Sequence, residues 1–361
     1  LLLDNRLIID YYSTTMFEPK FLISNQLLAN ISKVNSLVHD LNDRRFPRLV
    51  LLEFEIIARE VSTFASTSIE GNPLPLTEVK QLLKSRPTNI RDSEREVINY
   101  NLAIENLCRL IESNEIEVSL PLILQTHKQV TQNLLPKQES GRLRKMPVVV
   151  NDPRTGKIVY LPPEVDVVES LTLDLIKYIK KNITKVDPLI LAGIFHKQMV
   201  IIHPFMDGNG RTTRLITKVL LAKMGLNTFN LFSFENYYNQ NVTKYFQTVG
   251  EYGDYNELKE SIDFTTWLEY FTAGLIDELL RVQKMLPKRT DSPETNLEIH
   301  HNKIIGFIKT NGYITDRDYA KLTTRAKATR TLDFQRLIGM EIIERKGAGR
   351  STYYTLLGQD S

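Results

Sequence analysis

The chain reads as a mainly α-helical protein with one short β-hairpin and a separate C-terminal domain. Three observations give this reading. Apolar residues along most of the 361 positions recur at three- and four-residue intervals, the repeat of a helix with one buried face. That style breaks at 146–163, where two β-prone runs flank a turn-rich loop. A polar stretch, Lys288-Arg289-Thr290-Asp291-Ser292-Pro293, then sets off a final segment that carries the basic surplus.

The composition, 42% hydrophobic, 25% charged and 9% aromatic, excludes wholesale disorder, a collagen-like fibre and a membrane-embedded chain. A chain of this length is expected to divide into two or three domains. The single cysteine, Cys108, forms no internal disulfide and no multi-thiolate zinc site. It fits a small buried hydrophobe in a reducing compartment. Residues 1–9 are interrupted by Asp4 and Arg6 and lack a small-residue cleavage site, so they do not read as a signal peptide. The expected location is the cytoplasm, with no membrane partner.

Taken in order, 21–41 places Leu22, Leu27, Leu28, Ile31, Val34 and Leu37 on one stripe. Helices at 49–70 and 76–84 are separated by the stop signal Gly71-Asn72-Pro73. Helical patterns continue at 94–115 and 120–135. The hairpin comprises 148–150 and 157–161 around Asn151-Asp152-Pro153-Arg154-Thr155-Gly156, and Pro162-Pro163 ends it. Helices resume at Glu164 and at Asp187-Pro188, where Asp suits the cap and Pro the first turn. Further helices are expected at 189–202, at 212–224 with Gly225 as the stop, and at 261–285. The division is a helical region at 1–115, a core at 116–286, a linker at 287–296 and a C-terminal domain at 297–361. That last domain holds 11 Lys and Arg against 7 Asp and Glu, whereas the whole chain is only +3.

The most informative stretch is His203-Pro204-Phe205-Met206-Asp207-Gly208-Asn209-Gly210-Arg211-Thr212-Thr213-Arg214. Pro204 disfavours helix at His203, so one helix ends there and another begins after the glycines. Amide groups at a helix N-terminus, together with its dipole, favour an anion. Arg211 and Arg214 are three apart and suit a di- or triphosphate better than a lone carboxylate. Asp207 beside such an anion can hold Mg²⁺. His203 is the residue here that titrates near neutrality, hence a candidate general base.

This stretch resembles the signature of Fic-domain proteins, H-[PX]-F-X-[DE]-G-N-G-R-X-X-R, and matches every specified position. Leu124-Gln125-Thr126-His127, Gly141-Arg142-Leu143-Arg144 and Tyr160-Leu161-Pro162-Pro163 resemble that family's flanking segments, so the likeness covers most of 17–286. It implies a helical Fic core with a small flap, and an enzyme moving AMP from ATP to a Ser, Thr or Tyr hydroxyl of a protein, with self-modification open. By the same resemblance His203 is the base and Asp207 holds Mg²⁺. Gly208, Asn209, Gly210, Arg211 and Arg214 hold the phosphates, Asn241 and Tyr245 flank the adenine, and Ile158 and Val159 of the flap hold the target. Tyr237 and Tyr238 are either self-modified nucleophiles or packing groups. A homodimer follows from the resemblance alone.

Ser66 and Glu70 share one face at the C-terminal end of a helix, where a glutamate opposes the dipole. Ser66-Thr67-Ser68-Ile69-Glu70-Gly71 resembles the family's inhibitory motif, [ST]-X-X-X-E-[GN], which implies that Glu70 pairs with Arg214 and displaces the ATP γ-phosphate. The order of elements after residue 297, three helices and a glycine-bearing hairpin, resembles a winged helix-turn-helix. Arg325, Lys327, Arg330 and Arg336 lie on or near its third helix and could meet phosphates of DNA; a protein contact is the other reading. Two alternatives stay open: a DNA-binding regulator that senses nucleotide, and a Fic transferase with another donor.

Overall fold

The structure, a computed structural model of the chain, describes residues 17–42, 48–85, 87, 90–112, 116–152, 155–222, 233–286, 299–339 and 342–357. It forms two compact units. The first holds Leu1–Asp43, Ala58–Leu83 and Pro87–Met285, and the second Arg44–Ile57, Lys84–Arg86 and Leu286–Ser361. The N-terminal helices and the core, read apart in the sequence, thus share one unit, and residues 44–57 group with the C-terminal segment. The expected linker at 287–296 and the stop at Gly225 lie outside the described residues.

The architecture is mainly helical, as expected. Helices α1 (Asn25–Asn42), α2 (Arg48–Ile69), α3 (Leu76–Ser85), α4 (Asp92–Glu112) and α5 (Leu120–Val130) precede the hairpin. Ser119 caps α5 by accepting from the Leu122 N–H, with Pro121 in the first turn. Strand β1 (Val150–Asn151) pairs antiparallel with β2 (Ile158–Leu161), and their register shifts once between Val150 and Asn151. Helices α6 (Val168–Asn182), α7 (Pro188–Ile202) and α8 (Asn209–Ala222) follow. Then come α9 (Glu235–Gln240), α10 (Val242–Val249), β3 (Gly253–Asp254), α11 (Tyr255–Leu258) and α12 (Thr265–Met285). Strand β3 pairs parallel with β2 and makes the hairpin a three-stranded sheet.

Helix α7 is the spine of this unit. Every residue from Leu189 to Met199 is buried, because α6, α8 and α12 pack around this largely apolar segment, and the buried Lys197 is paired with Glu251. Burying each large side chain, such as Ile194 or Phe195, stabilises the fold by about 2 kcal/mol. Asp187 caps α7 through the Leu189 N–H, and Trp267 of α12 donates its ring N–H to the Gly193 carbonyl. Helix α8 lies against α5 and α4 as well, which fixes its N-terminus.

The second unit contains α13 (Ile299–Asn311), α14 (Asp316–Leu322), α15 (Lys327–Gly339) and an antiparallel pair, β4 (Ile343–Lys346) with β5 (Tyr353–Leu356). Ile304, Ile308, Ile314, Tyr319, Phe334 and Leu337 form its core, with Ile56 packed against them. Thr315 opens α14 with a capping box to Asp318. The order of elements is the expected one.

Candidate active site

Helix α7 stops where Pro204 forces it to. His203 takes a left-handed backbone, φ 50° and ψ 59°, which a non-glycine residue adopts only when its neighbours hold it. Its Nδ1 lies 3.3 Å from the Val200 carbonyl, an oxygen that only accepts. The ring proton therefore sits on Nδ1, and Nε2 carries the lone pair. Burial holds the His203 imidazole below its ordinary pKa, so the neutral base form prevails at pH 7.

The loop after it is built on His127. The Gly141 N–H donates to His127 Nδ1 at 2.9 Å, so Nε2–H donates to the Asp207 carbonyl, also at 2.9 Å. Phe205 stacks on the same ring at 3.8 Å between centroids. Burial drives the His127 pKa down to about 4, so this double contact is made by a neutral ring. Asn209 closes the loop: its Oδ1 accepts the Phe205 N–H and its Nδ2 donates to the Phe205 carbonyl, both at 2.9 Å. Helix α8 begins at Asn209 rather than at 212, which places Asn209, Gly210 and Arg211 in its first turn with their amides unpaired within the helix.

Two arginines leave α8 toward different partners. Arg211 donates to Asp207 Oδ2 at 2.8 Å and pairs with Glu96 of α4 at 2.7 Å. Its buried Nε has no hydrogen-bond partner among the described residues, a donor that an incoming anion can use. Arg214 is fully buried. Its Nε donates to Ser66 Oγ at 2.7 Å, and its Nη2 donates to the Ser66 carbonyl at 2.9 Å and to Glu70 Oε1 at 2.7 Å. Burial pulls the Arg214 pKa down, but the Glu70 carboxylate more than offsets it and the guanidinium stays charged. Glu70 lies so close to the loop that a Cβ on Gly210 would meet its Oε1 at 2.2 Å. A side chain at 210 would have to push the end of the Glu70 or Arg214 side chain aside. Helix α2 itself ends as the sequence expects, in a left-handed Gly71.

The remaining expected site residues fall in several places. Ile158 is 57% exposed and Val159 is half-buried on β2, while Tyr160 points inward and donates to the Ile201 carbonyl at 3.1 Å. Asn241 is the exposed cap between α9 and α10, its side chain accepting the Lys244 N–H. Tyr245 is buried. Its hydroxyl meets His196 Nε2 at 3.0 Å and Arg214 Nη1 at 3.5 Å, which places it at the guanidinium. Tyr238 is fully buried and stacks on Tyr245 at 4.8 Å, so it packs and offers no exposed hydroxyl. The Asn209 side chain, expected on the phosphates, bonds Phe205 through both its oxygen and its nitrogen.

Sequence reasoning missed Glu96 and the roles of Asn72, Arg144 and His127. Asn72 Nδ2 donates to Glu96 Oε2 at 2.7 Å, so the turn after α2 reaches the partner of Arg211. Burial raises the Glu96 pKa, against the pull of Arg211. Asn72 directly follows the quoted inhibitory segment, inside the stop signal Gly71-Asn72-Pro73. Glu96 carries no signal beyond being one carboxylate in an amphipathic helix.

Within this helical unit, with its anion-ready turn between α7 and α8, the family described as Fic/DOC matches residues 117–221. Among curated proteins the chain is similar to protein adenylyltransferase fic-1 of Caenorhabditis elegans, 34% identical over 167 residues, covering 45% of this chain and 31% of the worm protein. Protein adenylyltransferase Fic of Drosophila erecta is 26% identical over 235 residues, covering 60% of this chain and 45% of that protein. The chain thus spans less than half the length of either relative. Among solved structures, a Fic family protein from Desulfovibrio desulfuricans G20 aligns with a TM-score of 0.62 at 20% identity, covering 96% of this chain and all of that one. Fic-1 of C. elegans aligns with a TM-score of 0.57 at 23% identity, covering 72% of each chain. These likenesses show the fold. No described helix is long and apolar enough to cross a membrane.

Proposed function

We propose that the first unit transfers AMP from ATP to a hydroxyl group of a protein, and that the structure is its resting state. The observation that carries both halves is the buried contact of Arg214, at the end of the loop, with Glu70 and Ser66 at the end of α2. The names of the two curated relatives support the reaction class. The geometry supports the roles.

In the working state the target hydroxyl gives its proton to His203 Nε2 as its oxygen attacks the α-phosphorus. The bond from the α-phosphorus to the bridging oxygen breaks and pyrophosphate leaves. The amides of the first turn of α8, Arg211 and a released Arg214 neutralise the charge that develops, which is the principal demand of such a transfer. The hairpin presents Ile158 and Val159 to the target segment, with strand-like pairing as the recognition mode.

Asp207 fits Mg²⁺. Its carboxylate is 56% exposed, and although burial pushes its pKa up, Arg211 outweighs this and keeps it ionised. A hard cation takes one such oxygen together with phosphate oxygens and would supply further charge neutralisation. In the resting state Glu70 occupies the guanidinium that the terminal phosphate needs.

The test is transfer of α-labelled ATP, with Mg²⁺, onto the protein itself and onto candidate targets. Glu70→Gly is expected to label roughly 10- to 100-fold more than the intact chain. Adding His203→Ala should abolish the label while leaving ATP binding. A folded Glu70→Gly protein that binds ATP and labels no better than the intact chain would overturn the resting-state reading.

A further inference from the structure

We propose that Arg144 is a positioning residue for the transfer, tying the base and the target-holding hairpin to one guanidinium; this rests on the transfer reading above. Arg144 is 3% exposed and its side-chain acceptors are main-chain carbonyls. Its Nε donates to the His203 carbonyl at 2.9 Å, its Nη1 to Met146 at 3.4 Å, and its Nη2 to Pro163. Its own main-chain N–H donates to the Pro204 carbonyl at 2.9 Å. Met146 precedes β1 and Pro163 follows β2, so the fork spans both roots of the hairpin and the residue that carries Nε2.

A buried guanidinium is costly, and burial lowers the Arg144 pKa accordingly. What it supplies is reach. A rigid planar fork can hold three separate segments in one plane, which an ammonium cannot. His203 is where such a hold matters, since its left-handed backbone costs about 1–2 kcal/mol and must be fixed from both sides. The Met199 carbonyl holds its N–H, and Arg144 holds its carbonyl and the next one. The Tyr160 hydroxyl adds a second tie between β2 and the end of α7. A hydroxyl seated along the hairpin and the imidazole that deprotonates it therefore share one frame.

Arg144→Met and Arg144→Lys in the Glu70→Gly background test this through three readouts. These are ATP affinity, transfer rate at saturating ATP, and hydrogen exchange at the amides of 148–152 and 157–161. Arg144→Met is expected to lose about 100-fold in rate, the cost of a misplaced reacting pair, with ATP affinity unchanged and faster exchange in the hairpin. Arg144→Lys should recover part of the rate without the hairpin protection. A folded Arg144→Met protein with the parental rate overturns the proposal, as does a loss of ATP affinity in step with the rate. If Arg144→Met does not fold, Arg144→Lys decides, and parental rate with parental exchange overturns it. An inactive Glu70→Gly parent counts against the transfer reading instead. Hairpin exchange then still tests Arg144, and unchanged exchange overturns its role.

Discussion

Single side chains set the chemistry, and two histidines show how. His203 and His127 are both held neutral by burial, but His127 uses both ring nitrogens on the loop whereas His203 is bonded through Nδ1. Because its pKa lies below 6.5, the acid limb of a transfer-rate profile is expected below that pH. A limb above pH 7 would remove His203 as the base. His127 gives a stability prediction. Unfolded it titrates near 6.5 and folded near about 4, so the unfolded chain binds more protons between those values. Stability from this ring is complete above pH 6.5 and is lost as pH falls toward 4, by on the order of 3 kcal/mol in all. His196, also buried neutral, adds to the same slope in any comparison. A His127→Gln protein should show a shallower fall of melting temperature across that window, and an identical slope would refute the assignment. At this scale the twelve-residue loop was legible because its residue types name their own chemistry. The contact of Tyr245 with Arg214 was not legible. That distance depends on how α10 lies over α8, which no spacing in the sequence records.

Elements set the alternatives open to those side chains. The end of α2 clamps Arg214 through Ser66 as well as Glu70, so Ser66→Ala should cost about 1–3 kcal/mol by leaving buried Nε unsatisfied. Denaturant unfolding measures this, and the same variant should label above the intact chain. On the hairpin, Ile158→Glu alters an exposed side chain, so stability should change by less than about 0.5 kcal/mol. Labelling of a target is expected to fall with ATP affinity unchanged; equal loss of both would take Ile158 out of target recognition. Most helices were legible because each keeps one apolar stripe. Strand β3 was not, since Gly253–Asp254 is two residues with no β preference, paired only because α10 ends beside β2. Nor was the break at Asn241, which separates α9 from α10 with φ −145° and caps the latter.

At the scale of the molecule, the C-terminal unit bears on the choice between a nucleic-acid surface and a protein surface. Arg330 forms a two-pronged pair with Asp316, and Arg325 meets Asp333 on α15. Lys327 remains exposed on that helix. Arg325→Ala and Arg330→Ala are therefore expected to lower the melting temperature of this unit without changing retention on duplex DNA at a fixed salt concentration. Loss of retention at an unchanged melting temperature would make them phosphate contacts instead. The order of elements in this unit was readable from turn residues and periodicity. The grouping of residues 44–57 with it was not, because nothing local marks a contact made some 250 positions away, as between Glu55 and Lys309.

The closeness of Glu70 to Gly210 has a quantitative consequence. A carboxylate carried on a folded helix end is present at its guanidinium at an effective concentration far above the millimolar range of free nucleotide. Raising ATP is then a poor substitute for moving α2, and the labelling rate of the intact chain should plateau low with nucleotide rather than climb to that of Glu70→Gly. Activity would be governed by whatever displaces the helix end, making the protein insensitive to the swings of its own fuel.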